Sequence, residues 1–134
     1  MAAQGRKNVR GKTGVRFKAA YTTSKRKNML RNVVTELVIH EKVIVTTSVV
    51  SDLKKLADHL ITLAKRGDLH ARRQAASILR QMNTHGKDGV SALEKLFNEL
   101  GPSYKDRQGG YTRAIKAGNR RGDNAPVVLV TWVH

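Results

Sequence analysis

The chain contains no cysteine, only two prolines, and six aromatic residues among its 134 positions. Without a thiol there is no disulfide, no cysteine-ligated zinc or iron–sulfur cluster, and no cysteine nucleophile. The rings are Phe17, Tyr21, Phe97, Tyr104, Tyr111 and Trp132, too few and too scattered for a base-stacking platform. Phe97 and Trp132 are expected in the core. No apolar run approaches the length of a membrane span. The basic start has no apolar stretch behind it, so a secretory signal is not expected, although an organellar transit peptide shares its acid-free composition.

Acids are scarce as well. Ten Asp and Glu stand against 26 Lys and Arg, a formal charge of +16. Self-repulsion at that density opposes compaction unless a polyanion offsets it, which makes nucleic acid the first expected partner and an anionic membrane surface the second. A composition 40% hydrophobic still belongs to a globular chain. At this length one domain is expected, with about two-thirds of the extended surface buried on folding.

The charge is uneven. Residues 1–31 hold ten basic side chains and no acid, residues 32–103 are nearly balanced, and residues 104–134 hold six basic and two acidic. Residues 1–20 read as a flexible basic arm. Their apolar residues are isolated, and Gly5, Gly11 and Gly14 loosen the backbone. In the arm, Arg6, Lys7, Arg10, Lys12, Arg16 and Lys18 are candidate phosphate contacts.

Residues 21–134 read as a single globular RNA-binding domain. A first helix begins near Thr23 or Ser24, either of which can cap it, and runs to about His40 with Leu30, Val33, Val34, Leu37 and Val38 on one face. Lys42 to Thr47 reads as a β-branched strand. Ser48 is expected to cap a second helix, striped by Val50, Leu53, Leu56, Ala57, Leu60, Leu63 and Ala64. Gly67 and Asp68 end it and start a third helix with Ala71, Ala75, Ile78, Leu79 and Met82 on one face. After a loop from Asn83 to Gly89, Asp88 is expected to cap a fourth helix, stopped by Gly101 and Pro102. Gly109 to Ala117 and Val127 to Val133 are expected strands, joined by a polar turn into a hairpin. The expected fold class is α+β in the order α-β-α(3)-β(2): a small three-stranded sheet packed by helices in two layers.

The start of the first helix carries the sharpest chemical signal. Lys25, Arg26 and Lys27 sit where the helix dipole is already positive, and Arg31 follows one turn later. Exposed cations there are of the wrong sign unless an anion occupies that end; then free amides, the Thr23 and Ser24 hydroxyls and the cations all point at one phosphate. Arg72 and Arg73 repeat the pattern more weakly beside Asp68, where solvated face and phosphate contact are equally good readings. Arg113 on the first hairpin strand, and Arg120 and Arg121 in the turn, are further candidate phosphate contacts.

Other patterns carry nothing. Gly11-Lys12-Thr13 has the ending of a phosphate-binding loop, but the upstream glycine is out of register and no strand precedes it. Arg121-Gly122-Asp123 is a three-residue chance match to an adhesion tripeptide. The five histidines lack metal-ligand spacing, and Asp52 and Asp58 do not make a carboxylate pair. No catalytic constellation, metal site, cofactor or small-molecule substrate is therefore expected. Binding should run through phosphates, sugars and shape.

Five stretches then stand in order: Met29-Leu30-Arg31-Asn32, Leu60-Ile61-Thr62-Leu63-Ala64-Lys65, Leu96-Phe97-Asn98-Glu99-Leu100-Gly101-Pro102, Gly109-Gly110-Tyr111-Thr112-Arg113 and Gly122-Asp123-Asn124-Ala125-Pro126. Together they closely resemble the bacterial L-seventeen family of large-subunit ribosomal proteins, from about Thr22 to Val133. The resemblance implies a non-enzymatic structural protein of the large ribosomal subunit. It would bind large-subunit ribosomal RNA near the peptide tunnel exit, beside neighbouring large-subunit proteins, in a cytoplasmic or organellar ribosome. It also implies the α-β-α(3)-β(2) fold. The arm departs from the short Met-Arg-His-Arg-Lys start usual in the family, and Lys25 stands where a histidine is common. A DNA-compacting protein would need an apolar wedge, a nuclease an acid/base or metal cluster, and a membrane-surface protein a helix basic on one face and broadly apolar on the other.

Overall fold

In a computed structural model of the chain, residues 23–83 and 89–134 are described. The expected contacts of the arm, Arg6 to Lys18, and the expected cap Asp88 lie outside them. Among the described residues, four helices pack on one face of a three-stranded antiparallel sheet, an α+β fold.

Helix α1 spans Thr23–His40 and buries Val34, Leu37, Val38 and Ile39. Thr23 and Ser24 both lie in its first turn, so neither stands ahead of it as a cap. At its other end Glu41 adopts φ 65°, a left-handed conformation that lets its amide donate to the Leu37 carbonyl at 2.9 Å. Strand β1, Lys42–Thr46, follows directly. Thr47 belongs instead to a 3-10 turn, Thr47–Val49, which leads into helix α2, Val50–Arg66. Ser48 is therefore not a cap. The Val50 amide donates to the Thr47 carbonyl, so the turn itself satisfies a donor that a side chain would otherwise take.

Helix α2 is the hub, touching α1, both following helices and the second strand of the sheet. Its apolar surface is accordingly broader than one stripe: Ile61, off the expected face, is fully buried with Leu53, Ala57 and Leu60. Each of the leucine and isoleucine side chains contributes about 1.5–3 kcal/mol over its exposed state. Gly67 ends α2 at φ 69°, and Asp68 caps helix α3, Leu69–Ile78, by accepting from the Ala71 amide at 3.2 Å. Both follow the sequence expectation.

Helix α3 is shorter than its apolar pattern. Leu79 turns extended, so Leu79 and Met82 lie beyond the helix, Leu79 buried and Met82 exposed. A fully buried threonine on α1 is the cause: Thr35 Oγ1 donates to the Arg31 carbonyl at 2.7 Å and accepts the Arg80 amide at 3.0 Å. The Arg80 guanidinium adds bonds to Asn32 at 2.9 Å and Asn28 at 3.0 Å.

Helix α4 starts after Ser91, which forms a reciprocal capping box with Glu94. It is α-helical over Ala92–Lys95, widens to a π-helical turn over Leu96–Leu100, and closes on α-helical Gly101–Ser103. Gly101 and Pro102 thus continue the helix they were expected to stop. Gly101 keeps helical dihedrals because it packs on α2: a Cβ built there would stand 3.2 Å from Ala64 Cβ and from the Ala64 carbonyl oxygen. The wide turn ends just ahead of Pro102, which cannot donate to an i−4 carbonyl.

Strand β2, Thr112–Asn119, starts later than expected because Gly109 and Gly110 both have positive φ and turn the chain before pairing can begin. Its partner β3, Pro126–Trp132, is the central strand of the order β1-β3-β2. The register aligns Val43, Val130 and Ala114 on one face and Ile44, Leu129 and Ile115 on the other. The inner face holds buried Val45, Val128, Val130 and Trp132. Tyr104 and Tyr111 meet Trp132 from the last strand in one buried aromatic cluster, with the two tyrosine rings edge to face at 5.4 Å.

Candidate nucleic-acid interface

Two helical faces build the principal cationic site. On α1, Lys27, Leu30 and Arg31 share a face by i, i+3, i+4 spacing, and Arg26 adjoins them. On α2, Asp52, Lys55, Leu56 and His59 share a face at i, i+3, i+4 and i+7. The packing of α1 on α2 sets these faces beside one another, and Ile78 from α3 joins the lining. The result is a groove of about 560 Å³ lined by these nine residues.

The groove has a clear division of character. Leu30, Leu56 and Ile78 are half-buried and pack against the core, while Lys27, Lys55 and His59 are exposed at the rim. Four permanent cations, Arg26, Lys27, Arg31 and Lys55, face the single carboxylate of Asp52. No acid lies in the first turn of α1, so the helix dipole adds to this positive field. Four cations against one carboxylate give this surface the charge that suits phosphate oxygens. Among the described residues, no group of three His, Cys, Asp or Glu could hold a metal ion.

Of the residues singled out in sequence, Arg26, Lys27 and Arg31 are brought together here. Lys25, Thr23 and Ser24 are exposed on the same turn but do not line the groove. Lys55 and His59 are not among the residues singled out in sequence, and Leu56 is there only as part of the core stripe of the second helix; the i, i+3, i+4, i+7 spacing from Asp52 to His59 is the signal that joins them.

The other cations separate into different duties. The Arg72 guanidinium lies over the Phe97 ring, 5.5 Å from its centroid, whereas Arg73 is exposed. Arg113, Arg120 and Arg121 lie on the exposed outer half of the β2–β3 hairpin. Arg113 shares the sheet's outer face with Thr131. Arg120 serves the turn: its Nε donates to Asp123 Oδ1 at 3.1 Å and its NH2 to Oδ2, a two-point clamp. Hydrogen bonding from Arg120 holds the Asp123 carboxyl down to about pKa 2. Arg121 carries no such partner role in the turn and remains exposed.

Lys65 and Lys95 look like surface charges in sequence but are internal ties. Lys65 Nζ donates to the Arg107 carbonyl at 2.7 Å and to Tyr111 Oη at 3.2 Å, fixing the segment that leads into β2. Lys95 Nζ is held by the Ile39 carbonyl and Glu41.

The sequence profile of the family described as Ribosomal protein L17 matches residues 29–133. The chain is also 44% identical over 131 residues to the large ribosomal subunit protein bL17 of Listeria innocua, an alignment covering 87% of this chain and 97% of that protein.

Proposed function

Because the chain belongs to the ribosomal protein L17 family and is a structural, non-enzymatic protein of the large ribosomal subunit, we propose that it binds and stabilises large-subunit ribosomal RNA. The observation that carries this reading is the convergence of Arg26, Lys27, Arg31 and Lys55 on one groove at the positive end of α1. Phosphates along an RNA backbone neutralise that field, and release of their counterions drives association. Arg73 and the hairpin residues Arg113 and Arg121 extend the contact away from the groove. Residues 1–20 add six further cations, Arg6, Lys7, Arg10, Lys12, Arg16 and Lys18, which follow the RNA backbone.

The position near the peptide tunnel exit, the neighbouring large-subunit proteins and the cytoplasmic setting are part of the same reading and rest on the family resemblance. No helix among the described residues is long and apolar enough to cross a membrane.

The test is the salt dependence of binding to large-subunit ribosomal RNA. Replacing Arg26, Lys27, Arg31 and Lys55 together by alanine removes up to four phosphate contacts and flattens the slope of log K against log salt by about 3–4, at roughly 0.7–0.9 per contact. The core is untouched by these exposed and half-buried ends, so the unfolding midpoint should hold. An unchanged slope and affinity in the quadruple variant would sink the proposal.

A further inference from the structure

A track for phosphates needs cations and water; it has no use for an apolar floor. The groove between α1 and α2 has one. Leu30, Leu56 and Ile78, contributed by three different helices, line it together with half-buried Arg26 and Arg31 and exposed Lys55. The volume, about 560 Å³, falls in the ~300–1,000 Å³ range of small-ligand pockets, enough for one nucleotide and too little for a duplex.

We propose that the groove takes a single unpaired nucleotide extruded from the ribosomal RNA, its base lying on Leu30, Leu56 and Ile78 and its phosphates held by Arg26, Arg31 and Lys55. This deepens the RNA-binding reading and rests on it. A nucleobase has two apolar faces and a polar edge. It gains by leaving water for an aliphatic surface, provided its edge and its phosphates keep polar partners. The rim supplies these. Guanidinium groups lie flat along base faces as well as donating to phosphate oxygens, so Arg26 and Arg31 can do either. His59 and Asp52 at the groove wall add a donor or acceptor for the base edge. Occupancy of this kind reads an RNA fold, because only a bulge or loop presents a free base at the right place. That suits a protein with no aromatic platform among its exposed described residues.

The experiment uses the full chain, with leucine and isoleucine methyl groups labelled for NMR. Two probes are titrated: a pentaadenylate, and an abasic ribose-phosphate oligomer carrying the same number of phosphates. The expected result is ring-current shifts at the Leu30, Leu56 and Ile78 methyls with pentaadenylate alone. The abasic oligomer should bind more weakly by about fivefold, the loss expected when no base covers the aliphatic surface. Leu56→Asn should bring the two probes to equal affinity while leaving the salt slope unchanged.

Equal binding of both oligomers with unmoved methyls would overturn the nucleotide pocket and leave the phosphate-binding reading standing. Loss of binding to both oligomers and to large-subunit RNA would break that underlying reading instead. Methyl contacts from the chain's own residues 1–22, persisting when pentaadenylate is added, would overturn the proposal in favour of an internal occupant.

Discussion

Lys95 Nζ lies 2.9 Å from Glu41 Oε1 and, with a second hydrogen, 2.9 Å from the Ile39 carbonyl oxygen, so one ammonium closes the carboxyl end of α1 from a helix more than fifty residues away. The same end is met by Trp132, whose Nε1 donates to the Leu37 carbonyl at 3.0 Å, and by Thr131, whose hydroxyl donates to the Glu41 carbonyl at 3.1 Å. Helix ends leave orphan carbonyls, and here α4 and β3 satisfy them. A cation is also the favourable charge at that pole of the helix.

Lys95 and Glu41 are unequal partners. The lysine side chain is 10% exposed and the glutamate 45%. Lys95→Met strands the Ile39 carbonyl in the interior and should cost about 1–3 kcal/mol, read as a lower urea midpoint at constant m. Glu41→Gln should cost less, since water reaches the glutamate. Glu41 also holds a left-handed φ, so Glu41→Gly should be more stable than Glu41→Ala by about 1 kcal/mol. Reversal of either order would refute this account of the α1 end.

Thr35 makes a second prediction. Thr35→Val keeps the shape but leaves the Arg80 amide without its acceptor, so a loss of about 1–3 kcal/mol is expected. Thr35→Ser keeps the hydroxyl and should lose less. Amide hydrogen exchange at Arg80 should quicken in the valine variant alone; protection there equal to that of the parent chain would contradict the role.

Gly101 sits against backbone, not against a movable side-chain tip. Ordinary helix propensity favours Gly101→Ala by about 1 kcal/mol. Overpacking against the Ala64 carbonyl works against it by roughly 1–3 kcal/mol, because α2 is held on several sides and cannot recede cheaply. The net expectation is destabilisation, larger for Gly101→Val. A higher melting temperature for Gly101→Ala would show that the α2–α4 contact is looser than its geometry implies.

Asp123 supplies the pH prediction. Its folded pKa is about 2, against an ordinary 3.8, and the Arg120 hydrogen bond is the largest cause. An acid whose pKa falls on folding adds stability that is complete above the unfolded value and disappears as pH falls through the folded one, here between about 4 and 2. The Asp123 carboxyl carbon, followed by NMR, should titrate near 2, and higher once Arg120→Ala removes the clamp. A midpoint at 3.8 in the parent chain would exclude the clamp in solution.

Much of the fold was legible because local chemistry and tertiary packing ask for the same residues. The apolar spacing of Leu30 to Val38 marks α1, Gly67 and Asp68 punctuate α2 and α3, and the β-branched run from Val43 marks β1. Reading failed where packing overrode a local preference. Gly101-Pro102 has the composition of a helix stop, yet contact with Ala64 makes glycine a requirement of the helix interior. Ile78-Leu79-Met82 continues a helical stripe, yet Thr35 captures the Arg80 amide and draws the chain out of the helix.

The interface divides in the same way. Charge, its concentration toward the two ends and the cations on the first turn of α1 are properties of the sequence alone, since they need no partner in space. Which cations remain available is a tertiary matter. Lys65 and Lys95 turn inward because carbonyls lie within reach, Arg120 is taken by Asp123, and Arg72 rests on Phe97. Lys55 joins Arg26 and Arg31 only because α1 packs on α2. A single chain displays its charges without distance; folding decides which are neutralised within the protein and which are left for an outside anion.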